Sequence, residues 1–225
     1  MNYMNAWKSF FEVELNFVSN KEKIISGLGG FFSILALIFI CQKTLADISI
    51  PLIVSMGASA VLLFALPSAP LAQPWAVIAG HLISACIGVA CFKYISSTIF
   101  AAASAVGLAI LAMHYLKCIH PPGGSTALIA VIGGQEIHRL GFKFVITPVL
   151  VNALVMVLLA ILINNLFERR RYPSYFNKTE QKSTPDRPLT HEEVVEAIKS
   201  LHSFVDISEK DLIQLTEALS QHRKN

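Results

Sequence analysis

The chain has 225 residues, of which 54% are hydrophobic and only 15% charged, and its formal net charge is +3. A soluble domain of this length needs more charged residues to cover its surface, so the composition argues against a soluble protein. The small positive charge forms no basic patch, and nucleic acid is therefore not an expected partner. These numbers indicate an integral membrane protein whose main partner is the lipid bilayer.

Charged side chains between Ile24 and Phe167 fall only in or beside gaps between long apolar runs. A charge at the centre of a bilayer costs about 2.5–3.5 kcal/mol on insertion scales, so this pattern is typical of membrane spans with charged ends. The charged residues of this stretch are Lys43, Asp47, Lys93, Lys117, Glu136, Arg139 and Lys143.

Four apolar runs are long enough to cross a hydrocarbon core of about 30 Å, which takes roughly 20 helical residues. They are residues 24–41, 75–95, 98–116 and 144–166. Residues 1–20 carry two glutamates and no small-residue cleavage site, so we expect no cleavable signal peptide. Their aromatic residues recur near helical spacing, which predicts an amphipathic helix lying along the membrane surface.

Two further apolar segments, residues 48–66 and 120–134, are interrupted by proline and glycine. Proline cannot donate a backbone hydrogen bond and disfavours helix in the residue before it. Each segment is therefore predicted to be an extended stretch followed by a half-helix. In the first, Pro51 and Gly57 mark the break, and the half-helix is expected to start near Gly57.

The two interrupted segments resemble each other, because GASAVL at residues 57–62 aligns with GSTALI at residues 124–129. We interpret this as an internal repeat of residues 24–95 and 98–166, each a helix, a broken segment and a helix. The fold class is thus all-α, with six membrane segments, or alternatively four spans and two re-entrant half-helices. Lysines before the first span and arginines after the last predict an even number of crossings with both termini in the cytoplasm.

The C-terminal part of the chain has the composition of a soluble segment. After a transmembrane domain of residues 21–168, residues 169–189 form a polar, proline-containing linker. Residues 190–225 are predicted to form two short cytoplasmic helices, because Thr190 and Ser208 stand at capping positions before amphipathic runs. A pair this small is not stable alone. We expect it to pack on the membrane domain or on a second subunit, which would make a homo-oligomer.

Residues 120–126 (HPPGGST) form the most unusual stretch of the chain. Irregular backbone at membrane depth is tolerated only where it is buried in protein or lines a polar cavity. The next helix is expected to begin at Ser125. Gly124, Ser125 and Thr126 would then offer free N–H groups, hydroxyls and the positive end of a helix dipole to an anion. The alternative is a hairpin that only allows tight helix packing.

The first repeat offers the same features at Gly57 and Ser59. In inverted repeats, the two helix starts would face each other near mid-membrane, and without a carboxylate between them they would favour a small anion. His120 could coordinate this anion, carry a co-transported proton or only cap a carbonyl. His81 and Asn152 lie inside spans and would either face the cavity or serve helix packing.

Two motifs resemble those of the HPP family of membrane proteins. One is residues 120–128 (HPPGGSTAL), and the other is residues 57–64 (GASAVLLF) with the following prolines and the Gly80-His81 pair. The resemblance covers about residues 24–175. It implies a four-spanning fold, which differs from the six segments preferred here, and nitrite transport for some members. Larger relatives carry nucleotide-binding CBS modules, and since none follows residues 190–220 here, their regulation is not transferred.

The function expected from these features is a secondary transporter or channel-like facilitator for a small inorganic anion, nitrite first. No phosphate-binding loop of the Gly-rich Lys-Ser/Thr type is present, so primary pumping is not expected. A structural or sensory membrane protein acting through its tail is one alternative. An intramembrane enzyme with Ser125 or Ser59 as nucleophile is disfavoured, since no carboxylate lies inside a helix to orient a histidine base.

The remaining expectations concern chemistry and location. The four cysteines show no metal-ligand spacing, so neither a metal nor another cofactor is expected, and the chain is not expected to be an enzyme. The membrane is expected to be a bacterial inner membrane.

Overall fold

The structure is a computed structural model that describes residues 18–45, 49–167 and 170–177. These residues are helical or connecting, and no strand occurs among them. Short 3-10 turns lie at Pro70–Ala72 and Ser174–Asn177. The helices are α1 (Asn20–Leu45), α2 (Ser49–Ala65), α3 (Pro74–Tyr94), α4 (Thr98–Tyr115), α5 (Pro121–Ile132), α6 (Gln135–Leu140) and α7 (Val151–Asn164), the last preceded by a π-helical turn at Val145–Leu150.

The chain divides into two compact units. One comprises residues 24–178 and contains nearly all of the described structure. The other combines residues 1–23 with residues 179–225. The predicted C-terminal helix pair, and the greater part of the predicted surface helix and linker, lie outside the described residues.

Four helical segments of the described chain are long and apolar enough to cross a membrane, which confirms an all-helical membrane protein. They coincide with the four predicted spans: Asn20–Ile40, Pro74–Tyr94, Thr98–Tyr115 and Val145–Asn164. Large apolar side chains on their outer faces are exposed, including Phe31, Phe39 and Phe100. Exposed apolar surface of this extent is expected where lipid rather than water surrounds the protein.

The prediction of a half-helix starting near Gly57 is wrong. α2 is helical from Ser49, and Pro51 lies in its first turn. Proline is tolerated there because the first N–H groups of a helix have no partner inside the helix. Gly57 is therefore an interior residue of α2, and the start of α2 lies about 15 Å along the axis from Ser59 at 1.5 Å per residue.

The second broken segment is short, as predicted, but its helix begins earlier than expected. His120 is extended, with φ −141° and ψ 100°, and α5 starts at Pro121 and spans 12 residues. Two prolines occupy the first helical positions, where their missing N–H groups cost nothing. Ser125 and Thr126 are thus the fifth and sixth residues of α5, so their N–H groups lie beyond the unpaired first turn. The predicted start at Ser125 is wrong.

Side-chain hydrogen bonds show which helix ends lie together at one end of the bundle. The indole N–H of Trp75 at the start of α3 donates to the carbonyl of Leu116 after α4, at 3.2 Å. The amide of Asn164 at the end of α7 donates to the carbonyl of Leu63 near the end of α2, at 3.1 Å. We call this the first end of the bundle.

The opposite, second end contains the end of α3 and the residues of α6. The ring of Phe92 stacks on His138 with centroids 3.6 Å apart, and the Lys93 amine lies 5.3 Å from the centroid of Phe142. Because α5 begins close to the first end and leads into α6, it runs through the bundle in the same direction as α3. α1 also starts near the first end, where the Ser26 hydroxyl accepts from the guanidinium of Arg170 after α7 at 3.2 Å. The chain direction therefore alternates from α1 to α5 and again in α7.

Candidate functional site

A group of polar side chains lies in the interior of this apolar bundle. Ser55 and Ser59 project from α2, His81 and Ser84 from α3, and Thr126 from α5, while His120 immediately precedes α5. All six are fully buried, at 0% exposure. Polar groups removed from water cost free energy unless they are hydrogen-bonded, so their partners determine what this site can do.

The hydroxyl of Ser59 lies between two imidazole rings. Its Oγ is 2.9 Å from Nε2 of His81 and 2.9 Å from Nε2 of His120. The ring centroids lie 4.9 Å apart, with an interplanar angle of 66°. One serine therefore links two histidines that are 39 positions apart in the sequence.

The second nitrogen of each ring is also bonded. Nδ1 of His81 lies 2.8 Å from Oγ1 of Thr126, and Nδ1 of His120 lies 2.8 Å from the backbone carbonyl of Leu71. Leu71 belongs to the 3-10 turn between α2 and α3 and is half-buried near the first end. All four ring nitrogens are thus paired.

The Leu71 carbonyl sets the direction of this hydrogen-bond chain. A carbonyl only accepts, so His120 carries a proton on Nδ1. When that ring is neutral, its Nε2 accepts from the Ser59 hydroxyl, and Ser59 in turn accepts the Nε2–H of His81. Nδ1 of His81 then accepts from the hydroxyl of Thr126. Donation therefore runs in one direction from Thr126 to Leu71, with both rings neutral.

Both hydroxyls have a second, longer acceptor within their own helix. Ser59 Oγ lies 3.3 Å from the carbonyl of Ser55, and Thr126 Oγ1 lies 3.3 Å from the carbonyl of Pro122. Such contacts to the carbonyl four residues back are common for serine and threonine in helices. Each hydroxyl can therefore turn away from its imidazole without losing every acceptor.

Two glycines let the helices approach closely enough for these contacts. A Cβ on Gly80 would lie 2.7 Å from the Cβ of His120, and a Cβ on Gly123 would lie 2.8 Å from Ser84 Oγ. Two turns after Gly80, a Cβ on Gly88 would lie 2.5 Å from the backbone oxygen of Ala127 in α5. Small residues at such positions are typical of close helix packing in membranes. The HPPGG stretch and the Gly80-His81 pair are thus two sides of one contact.

No carboxylate belongs to the site within the described part of the chain. Of the acidic residues in that part, Glu136 is exposed and pairs with Arg139 at 2.9 Å, and Glu22 lies in the first turn of α1. The polar groups of the site are hydroxyls, imidazoles and carbonyls. An additional proton on either ring would make the site positive.

The structure brings together four of the eight residues proposed from sequence: Ser59, His81, His120 and Thr126. The other four take no part in the contacts described above. Ser125 is exposed, Gly57 lines an apolar groove between α1 and α2, Gly124 has open space beside its Cα, and Asn152 is buried in α7.

Sequence reasoning did not assign Ser55, Ser84 or the carbonyl of Leu71 to the site. Ser55 could have been found, since it lies one helical turn before Ser59 and a serine at that spacing shares its face. The Leu71 carbonyl could not have been found, because every residue has a backbone carbonyl and the sequence does not show which one bonds a histidine.

Fold and site together define a polytopic α-helical membrane protein with a buried pair of histidines. The family model described as the HPP transmembrane region matches residues 16–173 of this chain. The chain belongs to the HPP transmembrane family.

Two transmembrane proteins of Dictyostelium discoideum are similar to this chain. They are 42% identical over 156 residues and 40% identical over 154 residues. The alignments cover 67% and 66% of this chain but 50% and 54% of the relatives, so the chain spans about half the length of the curated relatives it matches. No solved structure matches the chain.

Proposed function

We propose that this protein is a transporter or channel-like facilitator for a small inorganic anion, nitrite first. The observation that carries the proposal is the Ser59 hydroxyl held between two buried imidazoles in an apolar bundle. Ionisable residues at membrane depth are expensive, and they typically mark a path for an ion or a substrate. Hydroxyl and imidazole N–H groups are donors, which suits an anion better than a cation.

The helix starts support this proposal less than the sequence suggested. α2 starts far from Ser59, so its dipole does not point at the site. At the start of α5 the two prolines have no N–H, and the N–H of Gly123 already donates to the carbonyl of His120 at 2.8 Å. The attraction for an anion is therefore assigned to the side chains, above all to a protonated imidazole.

All four bonded side chains are fully buried, so the arrangement is an occluded one. An anion reaches the rings only when α2 separates from α3 and α5, which breaks the contacts of Ser59. When His120 is protonated, the opened site offers the Ser59 hydroxyl and the Nε2–H groups of both imidazoles to the anion. This is the gating step that the proposal requires.

The same proposal includes six crossings, with both termini in the cytoplasm. The alternating directions of α1 to α5 and α7 support six crossings. The lysines at the start of α1 and the arginines after α7 support the cytoplasmic termini. Ser59 of α2 and Thr126 of α5 are equivalent positions of the two repeats, and both bond His81 from helices that run in opposite directions. That relation supports an inverted repeat. Both named relatives are eukaryotic, and a bacterial inner membrane stays a prediction.

The test is anion uptake by the purified protein in liposomes, with nitrite, nitrate, formate and chloride offered in turn. His120→Ala should lower nitrite uptake and flatten its dependence on pH, because the variant lacks an imidazole to protonate. His114→Ala is the matched control, because His114 is exposed on α4. Uptake of none of these anions above protein-free liposomes would refute the proposal.

A further inference from the structure

We propose that the Ser59 hydroxyl relays a single proton between His81 and His120, and that this proton is the ion coupled to transport. The inference rests on the proposed function for the coupling, whereas the relay itself rests on the geometry of the three side chains. Two ring nitrogens at 2.9 Å from one hydroxyl oxygen are within the distance at which protons pass along hydrogen bonds.

The relay step conserves protons and electrons. With an extra proton on His81, its Nε2–H bond breaks and an O–H bond forms on Ser59. In the same step the former Ser59 O–H bond breaks and an N–H bond forms at Nε2 of His120. His81 becomes neutral, His120 becomes the cation, and Ser59 remains a neutral hydroxyl.

The protonated state of His120 is also fully hydrogen-bonded. Its Nδ1–H donates to the Leu71 carbonyl, and its Nε2–H donates to Ser59 Oγ. The new Ser59 hydroxyl donates to the unprotonated Nε2 of His81. The Nδ1–H of His81 donates to Thr126 Oγ1, and the Thr126 hydroxyl turns to the carbonyl of Pro122 at 3.3 Å. The pair therefore holds a proton without leaving a buried donor or acceptor unpaired, which is the usual cost of charging an interior group.

The pair holds one proton rather than two in this arrangement. Two positive rings would lie 4.9 Å apart in an apolar interior, and no carboxylate of the described residues is available to balance them. All four ring nitrogens are already bonded to the partners named above. The other ionisable side chains of α3, α4 and the loop before His120, and the described ones after α7, are Cys86, Cys91, Lys93, Tyr94, His114, Tyr115, Lys117, Cys118, Arg170, Arg171, Tyr172 and Tyr175.

The two rings face different parts of the bundle. Nδ1 of His120 points to the half-buried turn at the first end, and Nδ1 of His81 points to Thr126 on α5. A proton taken up at one ring can thus leave from the other. If Nδ1 of His120 lost its proton, this nitrogen and the Leu71 carbonyl would be two acceptors facing each other, which is unfavourable. His120 therefore regains a proton on Nδ1, and the hydrogen bonds again run from Thr126 to Leu71.

Nitrogen-15 NMR of histidine-labelled protein in lipid bilayers tests the relay without any anion. At neutral pH, His120 should be protonated on Nδ1 only and His81 on Nε2 only, with signals assigned from His120→Gln and His81→Gln. On acidification, the nitrogen-15 signals of both rings should shift together, with one common midpoint pH. In Ser59→Ala the two rings should shift at different pH values, and Ser59→Thr, which keeps the hydroxyl, should restore the common midpoint. The opposite tautomers, or two independent titrations in the unmodified protein, would overturn the relay.

Liposomes with an entrapped pH dye and a clamped membrane potential test the coupling. Nitrite uptake should acidify the interior of the liposomes. Nitrous acid also crosses the lipid without the protein, so the acidification of protein-free liposomes is measured and subtracted. Ser59→Ala should lower this acidification on the order of 100-fold, the usual scale of a positioned proton-transfer group, and His114→Ala should not. Nitrite uptake without acidification would overturn the coupling and leave the proposed function intact. Absent uptake would refute the proposed function, while NMR still decides the relay.

Discussion

Substituting Gly80 by alanine should disturb the site through packing alone, since it adds a methyl group and changes no polar atom. The new Cβ would lie 2.7 Å from the Cβ of His120 and 3.0 Å from the carbonyl of Cys118. Ordinary contact begins at 3.4 Å, so His120 has to retreat by about 0.7 Å. A retreat of that size along the bond to Ser59 lengthens 2.9 Å to about 3.6 Å, which is no longer a hydrogen bond.

The expected cost is about 1–3 kcal/mol for overpacking. The thermal midpoint of the purified protein should fall by roughly 2–4 °C per kcal/mol, and nitrite uptake should fall with it. Gly107→Ala is the matched control, because nothing lies within 4 Å of its Cβ position on α4. A Gly80→Ala protein with the midpoint and uptake of Gly107→Ala would refute the close contact between α3 and His120.

Three further predictions follow from other contacts. Thr126→Val should lower uptake more than Ser125→Ala, because of these two neighbouring hydroxyls only that of Thr126 bonds an imidazole. Equal effects in one liposome assay would argue against the network. Tyr172→Phe removes a buried hydroxyl that donates to the carbonyl of Ala72 at 2.7 Å. The free energy of unfolding should fall by about 1–3 kcal/mol, which a lower thermal midpoint would show. Burial raises the pKa of Tyr172 above 10.0, so its contribution is full below pH 10 and decreases at higher pH, a dependence that Tyr172→Phe should lack in melts across that range. Removing residues 190–225 should leave a folded membrane domain by size-exclusion chromatography, and failure to insert would place the domain boundary elsewhere.

The four long spans could be predicted because lipid imposes a strong, local constraint on composition. Each span must be apolar over about 20 residues, and a window of that length detects it without knowledge of its neighbours. The short helices could not be bounded in the same way. Pro51 indicates a break when the helix start is unknown, whereas a proline in the first turn of a helix costs little.

The error at α5 had consequences for the site. With the helix start placed at Ser125, that residue and its free N–H groups were the natural anion site. With the start at Pro121, the hydroxyl that faces α3 is that of Thr126, four residues after the buried Pro122. One turn of helix thus decides which of two neighbouring hydroxyls belongs to the site.

The histidines were recognised because an imidazole in an apolar run is costly without a use. Their meeting at Ser59 could not be predicted, since it depends on α2, α3 and the start of α5 converging in space. The nearest signal was the paired occurrence of Gly80-His81 and the HPPGG stretch, whose glycines the structure shows in contact. That the Gly80-His81 pair contacts the HPPGG stretch follows only from the packing of the helices, which the sequence does not show.

The proposed function requires a small anion to pass Ser59 and the two imidazoles. Nitrite uptake by purified protein in liposomes, compared for Ser59→Ala and Ser59→Thr, measures that requirement. Ser59→Ala should be folded but lose most of the uptake, and Ser59→Thr, which keeps the hydroxyl, should recover it. Full uptake by a folded Ser59→Ala protein would exclude Ser59 from the path of the anion.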